Sequence, residues 1–221
     1  MSKQNGNRSG CKDVFHAFLV SDARYDGYIE IPVIKPEDII PNRLISFSKA
    51  MLTDDYDQWV HFYEDDANFE RVWNNPKQYL DRLSKFRGII TPDFSLYRDM
   101  PLVMQEWNTY RGKALGSWWQ SQGLKVLPNV RFADDRSLSF CCNGIAKGSI
   151  ICIGSHGCLH VKQDREYFKK GLEEVIKKLR PTDIIVYGCT PADVFGICEK
   201  SGIRIHKFES EFSLSRKKEG A

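Results

Sequence analysis

Short apolar runs recur along the second half of the chain, and polar residues follow each of them. Residues 88–92 lead into Asp93-Phe94-Ser95, and residues 124–128 lead into Asn129-Val130-Arg131. Residues 149–153 lead into Gly154-Ser155-His156-Gly157-Cys158, and residues 183–186 into Tyr187-Gly188-Cys189-Thr190. Between these strand candidates, residues 100–122, 164–179 and 191–201 have helical spacing, and 203–208 read as a last strand. Such alternation predicts a mostly parallel sheet with right-handed crossovers. The strand C-terminal ends then share one edge, where folds of this kind bind ligands.

Helix boundaries follow from capping chemistry. Gly123 and Gly202 stand where helices end, and Gly171 lies inside its helix, where it needs a packing reason. Asp164 is expected to cap its helix and Thr190-Pro191 to open the next. In the N-terminal half, residues 15–20 and 28–34 read as a strand pair around an Asp26-Gly27 turn. Pro32, Pro36 and Pro41 make its second limb an edge strand or extended arm. Leu44-Ile45-Ser46-Phe47 is a short strand candidate. Residues 54–86 read as helical, broken near Asn74-Asn75-Pro76, with Trp59, Phe62, Phe69 and Trp73 striping one face. The expected class is α/β, with a mostly parallel sheet of about five or six strands, flanking helices and an N-terminal strand pair or arm. An open three-layer sheet and an incomplete β/α barrel both fit. The expected organisation is a flexible leader over 1–12, one α/β domain over 13–210 and a basic tail over 211–221.

Composition narrows the class. At 221 residues and 42% hydrophobic, the chain can build a sizeable core, which excludes global disorder. The net charge of +3 comes from the ends, through Lys3, Arg8 and Lys12 and through Arg216, Lys217 and Lys218. The body is slightly acidic, so nucleic acid is a weak expectation carried by the tails alone. The seven cysteines show no disulfide-scaffold spacing and no CxxC. With a polar start and no apolar run of membrane-spanning length, a reduced, cytoplasmic setting without membrane is expected.

The candidate chemistry lies at the strand ends. Asp93 and His156 are the candidate catalytic groups, as acid or base. Asn129 and Arg131 alternate, so they share a face, and an arginine there suits phosphate or carboxylate. Gly154 and Ser155 form a glycine-bracketed turn that lets backbone approach an anion. Ser95, Asn108 and Tyr187 complete the candidate ligand contacts, with Asp65 or Asp66 as possible additions. Each has a structural competitor: a cap, a core hydrogen bond, or an Arg131 ion pair with Asp134 or Asp135. A P-loop ending, a Gly-x-Ser-x-Gly elbow and the second half of a PD-(D/E)xK motif are absent. No cofactor is indicated, and a divalent metal has no ligand motif behind it unless the Glu64-Asp65-Asp66 run meets Asp93.

Several strings occur together: His61-Phe62-Tyr63-x-Asp65-Asp66, Thr91-Pro92-Asp93-Phe94-Ser95-Leu96-Tyr97-x-Asp99-Met100-Pro101 and Asn108-x-Tyr110-Arg111. Gly123-Leu124-x-Val126-x-Pro128-Asn129-Val130, Phe140-x-x-x-Gly144-Ile145 and Tyr187-Gly188 continue the set. With them the chain resembles domain-of-unknown-function family 4417 of bacterial genomes, phages and integrating elements, over roughly residues 14–208. The resemblance implies a phage or mobile-element context and carries no catalytic residue. Two functions stay open. One is an enzyme or ligand-binding domain for a small phosphate-bearing ligand such as a nucleotide. The other is a non-catalytic protein that binds a host or phage partner through Trp107, Trp118, Trp119 and the acidic helix.

Overall fold

The computed structural model describes residues 12–219, so nearly all of the expected leader lies outside the described residues. A 3-10 turn (Ala17–Val20) precedes a short antiparallel pair, β1 (Tyr25–Asp26) and β2 (Ile31–Pro32). Then come β3 (Leu44–Ser46), α1 (Phe47–Ala50), β4 (Trp59–His61), α2 (Asp66–Asn74), α3 (Pro76–Leu83) and β5 (Gly88–Ile90). The regular half follows with α4 (Leu102–Ser121), β6 (Val126–Leu127), β7 (Ile151–Gly154) and α5 (Lys162–Leu179). It closes with β8 (Asp183–Tyr187), α6 (Ala192–Lys200), β9 (Arg204–Phe208) and α7 (Glu211–Glu219).

Strands β3-β4-β5-β6 and β7-β8-β9 form two parallel sheets in chain order. A parallel bridge between Asn129 and Cys152 joins them, with Val130 N donating to Cys152 O and Cys152 N to Pro128 O, both at 2.9 Å. The joined sheet curls. Trp59, Ile90, Leu127, Cys152 and Ile185, from β4 to β8, pack into one inner cluster, and Leu44 of β3 and Phe208 of β9 reach the same cluster. Rings from non-adjacent strands also meet, His61 at the end of β4 lying 4.4 Å from Tyr187 at the end of β8, which a flat sheet would hold far apart. The architecture is therefore an incomplete (β/α) barrel, with no ladder between β9 and β3 among the described residues. Ile39 and Ile40 of the N-terminal arm also pack on the inner cluster. Outside, one apolar cluster lies under α1–α4 and a second under α5 and α6.

Two segments differ from the sequence expectation. Residues 17–20 form a helical turn instead of a strand, because the Asp13 carboxylate accepts the backbone N–H of Ala17 (2.9 Å) and Phe18 (3.2 Å). The antiparallel pair forms over 25–26 and 31–32 instead. Residues 59–61 form β4, and only Phe69 and Trp73 of the aromatic stripe lie on α2. All of β4 is buried, Trp59 in the inner cluster and Val60 in the outer one. A strand covered on both faces lacks polar alternation and imitates a helix in sequence. Trp59 fits inside because its register partner is Gly88, where a Cβ would lie 2.3 Å from the indole.

Smaller expectations resolve simply. Gly171 packs against Phe132, whose ring leaves no space for a Cβ. Asp164 lies within the first turn of α5, after the N-cap position, and pairs with Arg98 at 2.7 Å. The basic tail segment forms α7, anchored by Lys49–Glu211 at 2.8 Å and by Glu211 N donating to the Tyr187 hydroxyl at 3.1 Å.

Candidate functional site

The C-terminal ends of β4 to β7 open into a cleft of about 1030 Å³, lined among others by Tyr63, Asp93, Ser95, Arg131, Gly154 and His156. Asp93 lies three residues past β5, with its side chain 10% exposed. Two donors hold its carboxylate: Asn129 Nδ2 at 2.6 Å and the Arg131 guanidinium at 3.2 Å. Asn129 is itself fixed on three sides. Its Oδ1 accepts the Tyr63 hydroxyl (3.0 Å), its N–H donates to Thr91 Oγ1 (2.8 Å), and its carbonyl accepts Lys113 Nζ (2.5 Å).

Burial raises the Asp93 pKa, and the Arg131 charge and the Asn129 hydrogen bond only partly oppose it. Arg131 stays cationic, because the Asp93 charge outweighs its own desolvation. Lys113, buried on α4, is pulled down to about 8 by desolvation. Burial also lifts the Tyr63 hydroxyl well above its usual range, so it remains a neutral donor. The result is a carboxylate more basic than usual, pinned by two donors beside a polar cleft. Such a group can take a proton from a ligand or hold a cation.

The loop after Asp93 is tied to two helices. Ser95 donates through its N–H (3.1 Å) and its hydroxyl (2.9 Å) to Asp66 of α2. Asn108 of α4 donates to the Ser95 carbonyl at 2.6 Å, and Arg111 donates to Asn108 Oδ1 at 3.0 Å. Arg111 also pairs with Glu70 at 2.5 Å and lies 3.7 Å from the centre of the Phe94 ring. Locked supports of this kind preorganise a site.

The structure thus brings Asp93, Ser95, Arg131, Gly154 and His156 to one cleft, and Asp65 with them. Asn108 and Asn129 stand behind it as supports. Ser155 is buried and turns its hydroxyl to the Cys189 carbonyl at 2.7 Å. Tyr187 stacks on Tyr63 with ring centres 5.1 Å apart, and His61 lies 4.4 Å from Tyr187. His156 is exposed on the rim, its ring 6.1 Å from Phe212. Gly154 leaves room for the Tyr63 ring, since a Cβ there would come within 2.7 Å of it.

Tyr63 and Lys113 escaped the sequence reading as site residues. Tyr63 lies two positions beyond His61, and its alternation with Trp59 shows only once β4 is recognised as a strand. Lys113 had no signal, because a lysine inside a helix reads as solvated. Six carboxylates line the cleft (Glu64, Asp65, Asp93, Asp99, Asp164, Glu211) against Arg98 and Arg131, and each arginine already has an acidic partner. Among the described residues no group of three or more His, Cys, Asp or Glu side chains could hold a metal ion.

The fold and cleft define a class: an incomplete (β/α) barrel with a buried, doubly held carboxylate at the C-terminal strand edge. The chain belongs to the family described as "Domain of unknown function (DUF4417)", whose pattern matches residues 23–208. It is similar to the Gene 1 protein of Mycobacterium phage L5, 37% identical over 162 residues, covering 72% of this chain and 71% of that protein. It is also similar to the Gene 1 protein of Mycobacterium phage D29, 36% identical over 165 residues, covering 72% of this chain and 60% of that protein. No solved structure matches the chain. No helix among the described residues is long and apolar enough to cross a membrane.

Proposed function

We propose that the chain, acting in a phage or mobile-element setting, binds a small polar ligand in this cleft, with Asp93 as the base or cation acceptor. The observation that carries this reading is the Asp93 carboxylate, buried yet bordering the cleft and pinned by Asn129 and Arg131. His156 on the rim is the second group free to act on a bound ligand. The charge of the lining favours a ligand with an amine or other cationic group. A phosphate-bearing ligand has less support, because Arg131 is already neutralised by Asp93 and carboxylates dominate the walls.

Thermal unfolding against amines, nucleotides and divalent cations tests this, for the native chain and Asp93→Asn. A ligand at about a hundred times its dissociation constant adds roughly 2.7 kcal/mol. Stabilisation by an amine that Asp93→Asn abolishes is the expected result. Stabilisation by nucleotides that ignores Asp93 would sink the reading.

A protein-partner reading loses Trp118 and Trp119, which are buried in the core, and keeps one specific observation. The N-terminal turns of α4 expose Val103 (68%), Met104 (50%) and Trp107 (41%) together. Trp107 packs edge-on against Trp73 and stacks on Tyr110, which gives the patch a rigid aromatic centre. Partner capture lost in Val103→Asp, with ligand binding intact, would favour it.

A further inference from the structure

Cys141 and Cys142 follow one another in a turn after a short 3-10 segment (Ser137–Ser139). Cys141 N donates to Ser137 O and Asn143 N to Phe140 O, both at 2.9 Å. Neighbouring side chains point to opposite faces in a strand and diverge by about 100° in a helix. Here the turn swings both thiols to one side, and the sulfurs lie 3.8 Å apart. Neither thiol lines the cleft.

The two thiols are not equivalent. Cys142 is 8% exposed and Cys141 2%. Lys178 donates to the Leu138 carbonyl of the same segment, which brings its ammonium beside the pair. The Cys141 thiol, and then the Lys178 and Lys113 charges, favour the Cys142 thiolate against the cost of its burial, while Cys141 stays protonated. A thiolate is the nucleophile, and an adjacent thiol can resolve its oxidised form.

We propose that Cys141 and Cys142 close into a vicinal disulfide on reaction with a hydroperoxide, Cys142 attacking first. The Cys142 sulfur attacks the peroxide and breaks its O–O bond, which leaves a sulfenic acid and, with a proton, an alcohol or water. The Cys141 thiol then attacks that sulfur. The S–S bond forms as the hydroxyl leaves with the Cys141 proton as a water molecule. The two thiols lose two hydrogens, and the peroxide is the species reduced. The reaction does not depend on what the cleft binds.

The ring so formed is strained. Disulfides usually span Cα atoms at least about 4.4 Å apart, and consecutive Cα atoms lie only about 3.8 Å apart. The Cys141–Cys142 peptide and its turn must absorb the difference, and a strained bond is readily reduced again. Gly144 of that turn holds the N-terminal arm. Its carbonyl accepts Ile34 N at 2.8 Å, and its N–H donates to Asp26 Oδ2 at 2.9 Å. Oxidation loosens this attachment, and reduction restores it.

Hydrogen peroxide applied to the folded full chain tests the site, followed by maleimide labelling in denaturant and tryptic mass spectrometry. Cleavage after Arg136 and Lys147 releases residues 137–147, with these two cysteines and no other. That peptide should lose two hydrogens and take no label, and dithiothreitol should restore both labels. Two labels after peroxide, oxygen retained on either sulfur, or a link to another cysteine would overturn the proposal. Cys141→Ser should abolish the two-hydrogen loss and leave a Cys142 sulfenic acid that dimedone traps. Equally fast trapping at Cys141 in Cys142→Ser would overturn the order of attack. Amide exchange over residues 31–35 should quicken in the oxidised chain and recover on reduction. Unchanged exchange would overturn the coupling to the arm.

Discussion

Arg131 reaches the Asp93 carboxylate at 3.2 Å, from a position two residues beyond Asn129, which holds the same carboxylate at 2.6 Å. The pair is mostly buried, with side chains 23% and 10% exposed. Removing one member leaves the other charged in a poor solvent. Arg131→Met should destabilise the fold by about 3 kcal/mol, near the lower end for breaking a buried pair. Combining it with Asp93→Leu should restore most of that loss, because neither charge remains. Urea unfolding of both single variants and the double variant closes the cycle. Additive losses would mean that the two side chains do not interact.

Gly154→Ala places a methyl group within 2.7 Å of the Tyr63 ring and 3.5 Å of Asp93 Oδ2. The ring cannot yield easily, because Tyr187 stacks on it. A loss of about 1–3 kcal/mol is expected. In a Tyr63→Leu background the same substitution should cost less. Equal costs in the two backgrounds would refute the close approach.

His61 is buried and its pKa is pushed down to about 3 by desolvation, with the Lys49 charge adding to it. The unfolded chain takes up this proton near pH 6.5, and the folded chain only near 3. Stability from this group is therefore complete above about pH 6.5 and falls as pH drops, by about 1.4 kcal/mol per unit. His61→Phe should flatten the pH dependence of the urea midpoint between pH 7 and 5. An unchanged slope would show that His61 is protonated in the folded state.

Lys113 works in the opposite range. With its folded pKa near 8 and its unfolded value near 10.5, the unfolded chain binds more protons between those limits. The buried thiols of Cys152 and Cys198, whose pKa burial raises, pull total stability down over the same range, so the Lys113 contribution is read as a steeper fall in Lys113→Met than in the native chain. Measurement between pH 8 and 9.5 avoids tyrosine ionisation. A fall over that range, the same in both chains, would contradict the buried ammonium.

Much of the frame was legible in the chain itself. The runs ending at Asp93, Asn129, Gly154 and Tyr187 predicted the strands and the edge they share, because the period of burial is a local property. Gly123 and Gly202 marked helix ends for the same reason, since each has φ in the left-handed region just after its helix. β4 was hidden, because burial on both faces removes the alternation that distinguishes a strand. The choice between open sheet and barrel could not be read locally, since it depends on Leu44 and Phe208 meeting one cluster across the whole sheet.

The site divides along the same line. The sequence placed Asp93, Arg131 and His156 at one edge, which follows from their positions after strands. Only the tertiary structure decided that Asn129 and Arg131 both grip Asp93, that Ser155 turns away, and that Lys113 enters from α4. These are contacts between residues 16 to 38 positions apart. Their charges and hydrogen bonds take on their values only once folding has removed the water between them.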